Sequence, residues 1–277
     1  MNRIAPLVVS LTGLFLLSAT ASEKRPNVLL ICVDDLKPLL GCYGHQQIKT
    51  PHIDRLAARG MRFERAYCNQ AVCAPSRNAL MTGLRPSTVG IYDLGTNFRQ
   101  ATPDIVTLAQ CFKNSGYRAE AVGKIFHVGH GNNEDPRSWS VPHFKGKSIS
   151  YTSPENQQGL TREEAFFSNY TGRIGDLPRG AALEAADVDD SGYPDGVLAE
   201  EALRRLQAAK TDPEKPWLLC VGFLKPHLPF CAPKKYWDLY DRSAFALPPL
   251  QSPPKDAPAF AATNWGELRQ YNGIPTS

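Results

Sequence analysis

Two uninterrupted apolar runs stand out from an otherwise mixed chain: Asn27 to Val33 (N-V-L-L-I-C-V) and Trp217 to Leu224. Continuous aliphatic runs of this length, without alternation, predict strands of a parallel sheet buried on both faces. Tyr117 to Val122 reads as a third strand. Between these runs the apolar positions recur at helical spacing. Thr50-Pro51 opens one helix, with Ile53, Leu56 and Ala57 as its stripe and Gly60 as its end. Thr102-Pro103 is expected to open another, with Ile105, Leu108, Ala109 and Phe112 facing the core and Gly116 closing it. Asp195 is expected to cap a third, with Ala199, Ala202, Leu203, Leu206 and Ala209 inward. Glu200–Arg204 and Glu201–Arg205 would form i,i+4 pairs on its outer side. Strands separated by helices predict an α/β fold with a mostly parallel sheet flanked by helices.

The remaining stretches are polar or rich in turn residues. Asn132 to Gly192 reads as a long surface excursion that shapes access to a site. Within it, Asp187 to Gly192 fits half of an EF-hand loop, but the twelfth position is Leu198 rather than Glu, which argues against calcium there. Asn169-Tyr170-Thr171 is a glycosylation sequon. From Ala232 onward, proline and aromatics dominate.

Residues 1–21 carry Arg3, the apolar run Leu7 to Leu17 and an Ala19-Thr20-Ala21 cleavage site, which predicts a secretory signal. No later stretch is long enough to span a bilayer. The expected address is therefore export: periplasmic, extracellular or lysosomal. The net charge of +4 is mild and no basic run is interleaved with aromatics, which speaks against nucleic acid. Seven cysteines, an odd number, leave at least one unpaired in an exported chain.

The densest chemistry is Cys73-Ala74-Pro75-Ser76-Arg77, running on through Asn78-Ala79-Leu80-Met81-Thr82-Gly83. Pro75 suits a first helical turn and Gly83 a helix end. Cys73 then sits where free N–H groups and the helix dipole favour negative charge. Arg77 follows at i+4 on the same face. These residues read either as an anion site with a reactive sulfur or as a buried cysteine at the start of an ordinary helix. Asp34-Asp35 follow the first strand directly, where open α/β sheets place ligands. As hard oxygen donors they suit Ca²⁺ or Mg²⁺, or else form a loop pair. Lys124 and His127 leave the end of the second predicted strand. Pro226 and Pro229 prevent a helix after the last strand, so His227 projects from a stiff turn. His45, His52, His130 and His143 show no partner.

The pattern C-x-P-S-R followed by x-x-L-x-T-G resembles the signature of the sulfatases. T-P-x-x-D-x-L-A-x-x-G at Thr50 is similar as well. G-K-x-F-H at Gly123 and K-P-H-x-P-F at Lys225 resemble the iduronate-2-sulfatase branch. The resemblance covers residues 26–277 and implies the first part of an alkaline phosphatase-like fold. It implies that a formylglycine-generating or equivalent maturation enzyme oxidises Cys73 to formylglycine, whose hydrate attacks sulfur. It also implies that Asp34, Asp35 and the group at Cys73 hold a divalent metal, Ca²⁺ before Mg²⁺. Arg77 and Lys124 would offset sulfate charge, and His127 would orient or deprotonate the nucleophile. His227 would bind sulfate beside the leaving group. The implied substrate is a sulfated sugar, such as a sulfated uronic acid in a polysaccharide.

Sulfatases complete the metal site with a later Asp-His or Asp-Asn pair and another lysine. After His227 this sequence has neither dipeptide. Residues 22–277 are therefore expected to be the N-terminal catalytic portion of such an enzyme, inactive alone or completed by a second chain. Two rivals remain. A phosphoester hydrolase of the same superfamily would more usually carry Ser or Thr in place of Cys73. A non-catalytic binder of sulfated polysaccharide would need no metal pair.

Overall fold

The computed structural model describes residues 25–146, 151–247, 252–259 and 266–275. The expected signal segment lies outside the described residues. The apolar runs become β1 (Val28–Val33) and β4 (Trp217–Phe223), and the third becomes β2 (Arg118–Gly123). They form one parallel sheet in the order β1-β4-β2, with Val28 opposite Leu218 and Arg118 opposite Trp217. A second, two-stranded parallel sheet joins β3 (Leu183–Glu184) to β5 (Phe230–Cys231).

Alternation along β4 builds two cores. Leu218 and Cys220 face one side, with Ala119 and Ala121 of β2, Met81, Ile91, Phe98, Ala109 and Phe126. Helices α2 (Cys73–Thr82) and α5 (Leu108–Asn114) and the short turns α3 (Pro86–Val89) and α4 (Phe98–Ala101) contribute to that side. Leu219 and Val221 face the other side, with Val122 and with Leu198 and Ala202 of α7 (Pro194–Ala209). This two-sided burial is what a parallel sheet requires. On β1 it is incomplete. Leu30 and Cys32 pack against the first core, whereas Leu29 and Ile31 are 43% and 50% exposed.

Several local expectations are corrected. The helix placed at Thr102-Pro103 starts at Thr107 instead. The Thr107 hydroxyl accepts from the Gln110 backbone N–H, and the Gln110 side chain accepts from the Thr107 N–H. That reciprocal box satisfies two helix-end donors, which a proline at position 103 cannot do. Asp195 lies inside the first turn of α7 and caps a different element: its carboxylate accepts from the backbone N–H groups of Leu224 and Lys225. Leu203 is 59% exposed, and Leu198 takes the inward position expected of it. Arg204 and Arg205 both pair with Glu201, and Arg205 reaches on to Glu120 of β2. The stripe on α1 (Pro51–Ala57) is uncovered among the described residues, with Ile53 and Leu56 exposed. The polar excursion contains α6 (Arg162–Phe167), opened by a Thr161–Glu164 capping box.

Candidate active site

The carboxyl ends of the three strands lie at one edge of the sheet. Asp34 follows β1, Lys124 follows β2, and the Lys225–His227 turn follows β4. Their backbones are held close. The Asp34 N–H donates to Phe223 O, and the Lys124 N–H donates to Gly222 O at 2.8 Å. A Cβ on Gly222 would stand 1.9 Å from the Lys124 carbonyl oxygen, so only glycine permits this approach. Helix α2 delivers Cys73 to the same edge at its first residue and ends at Gly83 in the left-handed region (φ 71°).

Four groups interlock here. Arg77 Nη2 donates to Asp34 Oδ1 at 2.7 Å, and its Nη1 donates to the carbonyls of Lys124 and Ile125. Lys124 Nζ pairs with Asp34 Oδ2 and lies 3.8 Å from Cys73 Sγ, which is itself 4.0 Å from Asp34 Oδ2. Asp34, Arg77 and Lys124 are each at least nine-tenths buried. Burial pushes the Asp34 carboxyl up, but Lys124 and Arg77 overcome it and hold the group at about 2. The Cys73 thiol is raised, chiefly by burial, with Lys124 opposing. Unmodified, Cys73 is therefore a neutral thiol and a poor nucleophile.

His127 is buried beside this cluster. Burial first, then Lys124, His130 and Arg77, lower its ring to about 3. One ring nitrogen lies 3.1 Å from His130, and Nδ1 has no hydrogen-bond partner. His227 Nδ1 donates to Leu228 O at 2.7 Å, leaving Nε2 turned toward the cluster and 3.4 Å from Glu267 Oε1. Phe167 bridges the two sides, with Lys124 over its ring and His227 against its edge. A cleft of about 150 Å³ lined by Lys124, His143, Phe167, Lys225 and His227 opens beside them. Lys225 has a structural role, donating to the carbonyls of His227 and Pro229.

The structure thus brings together Asp34, Cys73, Arg77, Lys124, His127 and His227. Asp35, in the left-handed region (φ 54°), is exposed and belongs to neither three-ligand group found among the described residues. One such group is a possible metal site: Asp34, Cys73 and His227 offer atoms within 4.8 Å of one another. Its donors do not suit a hard cation. Both Asp34 oxygens already hold cations, the other two donors are sulfur and nitrogen, and Ca²⁺ wants six to eight oxygens. The unpartnered nitrogens of Arg77 Nε and His127 Nδ1 belong instead to an anion site. Sequence reading missed His130, Glu163 and Glu267. The first two lie in polar stretches without periodicity, and only the Thr161-x-x-Glu164 box signals the helix that carries Glu163.

A family model described as Sulfatase matches residues 26–246. The chain belongs to the sulfatase family. Within it, the chain is 37% identical over 251 residues to mouse iduronate 2-sulfatase, covering 90% of this chain and 43% of that protein. A sulfatase of Formosa agariphila is 33% identical over 282 residues, covering 92% of this chain and 53% of that protein. Among solved structures, the phosphonate monoester hydrolase of Agrobacterium radiobacter superposes with a TM-score of 0.56 at 25% identity, covering 80% of this chain and 45% of that one. The chain is thus iduronate 2-sulfatase-like and spans about half the length of these relatives.

Proposed function

We propose that this chain carries the sulfate-binding and nucleophile half of a sulfuric ester hydrolase acting on a sulfated sugar. The observation that carries the reading is the pair of buried cations, Arg77 and Lys124, converging with Cys73 at the start of α2. One buried carboxylate against two buried cations leaves net positive charge where a sulfate monoester would sit. Formylglycine at position 73, once formed, supplies a hydrated aldehyde as the oxygen nucleophile in place of an inert thiol. Lys124 Nζ, already at the sulfur atom, stays charged beside that position and stabilises negative charge developing on sulfate oxygens. Arg77 fixes the Lys124 backbone and Asp34 together, so the cations enter the reaction pre-arranged. His127, kept neutral, can accept a proton through Nδ1, its unpartnered atom. His227, with Nε2 free of the backbone, can hold a sulfate oxygen or protonate the leaving alcohol.

Ca²⁺ is the ion this reading expects, with Asp34 and Asp35 as this chain's share of its ligands. It would need further oxygen donors from outside the described residues. A sulfated uronic acid is the expected substrate, and a maturation enzyme and export complete the picture. No helix among the described residues is long and apolar enough to cross a membrane.

The test is sulfate release from a 2-O-sulfated uronate disaccharide, with a mass map across Cys73 on the same sample. Release that tracks the converted fraction is expected. Undiminished release from wholly unconverted protein would sink the reading. The likeness to a phosphonate monoester hydrolase supports a second assay with a phosphonate ester. Turnover of that ester surviving Cys73→Ser would transfer the chain to phosphoester chemistry.

A further inference from the structure

Opposite the cation cluster, a second group of side chains meets at His227. Glu163, on the first turn of α6, and Glu267 offer carboxylate oxygens that lie, with a His227 nitrogen, within 4.8 Å of one another. Among the described residues no lysine or arginine pairs with either carboxylate; the only ion-pair contact is Glu267 Oε1 to His227 Nε2 at 3.4 Å. Tyr271 is 1% exposed, and its hydroxyl faces Glu163 without a hydrogen-bond partner. His227 is itself more than nine-tenths buried.

The histidine is oriented as a metal ligand would be. Ligating imidazoles commonly donate the other ring N–H to a carbonyl or carboxylate, which fixes the tautomer and aims the free lone pair. Here Nδ1 donates to Leu228 O, so the Nε2 lone pair of the neutral ring faces the carboxylates. One imidazole and two carboxylates form a three-ligand set that zinc accepts with bonds near 2 Å, the fourth position going to water or another oxygen donor. The Tyr271 hydroxyl is an unpartnered buried oxygen at the same place. An imidazole also selects zinc or a similar transition ion over the hard cations.

We propose that Glu163, His227 and Glu267 form a zinc site beside the sulfate pocket. The ion uses the same His227 nitrogen that the proposed hydrolysis needs, so the site is inhibitory: zinc and turnover compete for one lone pair. That last consequence rests on the hydrolase reading; the binding itself does not.

The experiment is a calorimetric titration of the full chain, stripped of metal by chelation, with ZnCl₂ alone. One site is expected. Glu267→Gln and Glu163→Gln are each expected to weaken it by about tenfold or more, as ligand loss does. Cys73→Ser should leave it unchanged. Thermal unfolding without zinc checks that each variant is folded, and zinc should raise the wild-type midpoint more than that of either Gln variant. Wild-type affinity in both Gln variants would overturn the site. So would loss of binding in Cys73→Ser, which would place the ion at Asp34–Cys73–His227. No calorimetric signal at all also overturns it, whether or not the chain hydrolyses sulfate esters. If sulfate release is present, zinc should suppress it in the wild type and about tenfold less effectively in Glu267→Gln. Tight zinc binding with full turnover would overturn the shared use of His227 alone.

Discussion

The two histidines of the pocket stand in opposite electrical surroundings. His127 sits among Lys124, Arg77 and His130, where burial and positive charge keep its ring neutral. His227 sits against Glu267 and Glu163, on a turn built by two prolines. One side of the cleft is a cation-rich wall that receives an anion; the other is carboxylate-rich. The difference teaches that the pocket is polarised across about one side-chain layer, with Phe167 between the halves. Each ring then has a distinct task although both are buried imidazoles: the neutral one accepts a proton, and the carboxylate-facing one can carry a proton or a metal ion.

The largest effect should come from the cation side. Cys73→Ala is expected to abolish sulfate release while leaving the fold intact, because the thiol makes only long contacts of 3.8 and 4.0 Å. Circular dichroism and the sulfate assay together check this. Lys124→Ala should lower kcat about 10²–10³-fold. It should also destabilise the chain by roughly 3–5 kcal/mol in urea unfolding, since it leaves Asp34 short of a buried partner. Equal activity in Lys124→Ala would erase the contrast between the two walls.

Acid should separate the halves next. His127 titrates near 3 in the folded chain and near 6.5 in its unperturbed form, so the unfolded state binds more protons between those values. Its contribution is complete above about 6.5 and is lost as pH falls toward 3. Asp34, at about 2 against an ordinary 3.8, loses its contribution below about 3.8. Urea midpoints from pH 7 to 3 should therefore fall, and His127→Gln should flatten the upper part of that decline. The smallest effect belongs to the acidic wall. Burial and then Glu267 raise Glu163 to about 7, so its protonated form is favoured and stability is lost as pH rises from about 4.5 through 7. Glu163→Gln should unfold at a slightly higher temperature than the wild type at pH 8 and at the same temperature at pH 4 by calorimetry.

How much of this was legible in the sequence depended on range. The strands and α2 follow from contiguous residues: apolar runs in β1 and β4, and Cys73 to Gly83 for a whole helix with its left-handed end. The convergence of Asp34, Arg77 and Lys124 was suggested only by resemblance, because it depends on three strand ends that lie far apart in the chain. The start of α5 was misplaced since Thr-Pro and Thr-x-x-Gln both announce helices, and the reciprocal bonds of Thr107 and Gln110 won. Asp195 was misread because its partners, the N–H groups of Leu224 and Lys225, are about thirty residues away. Glu163 and Glu267 carried no local pattern at all. Their meaning appears only where α6 and the Glu267 segment meet the Lys225–His227 turn.

Lys124 shows what such convergence costs in evolutionary freedom. Its N–H is held by Gly222, its carbonyl by Arg77 and its ammonium by Asp34. Substitutions at these four positions cannot accumulate independently, since each changes the meaning of the other three, and double-mutant cycles among them should depart strongly from additivity. A lineage that abandoned this chemistry would have little reason to keep any one member, so decay should remove the set as a block. Intact together, they are a signature of selection on the whole joint rather than on any single side chain.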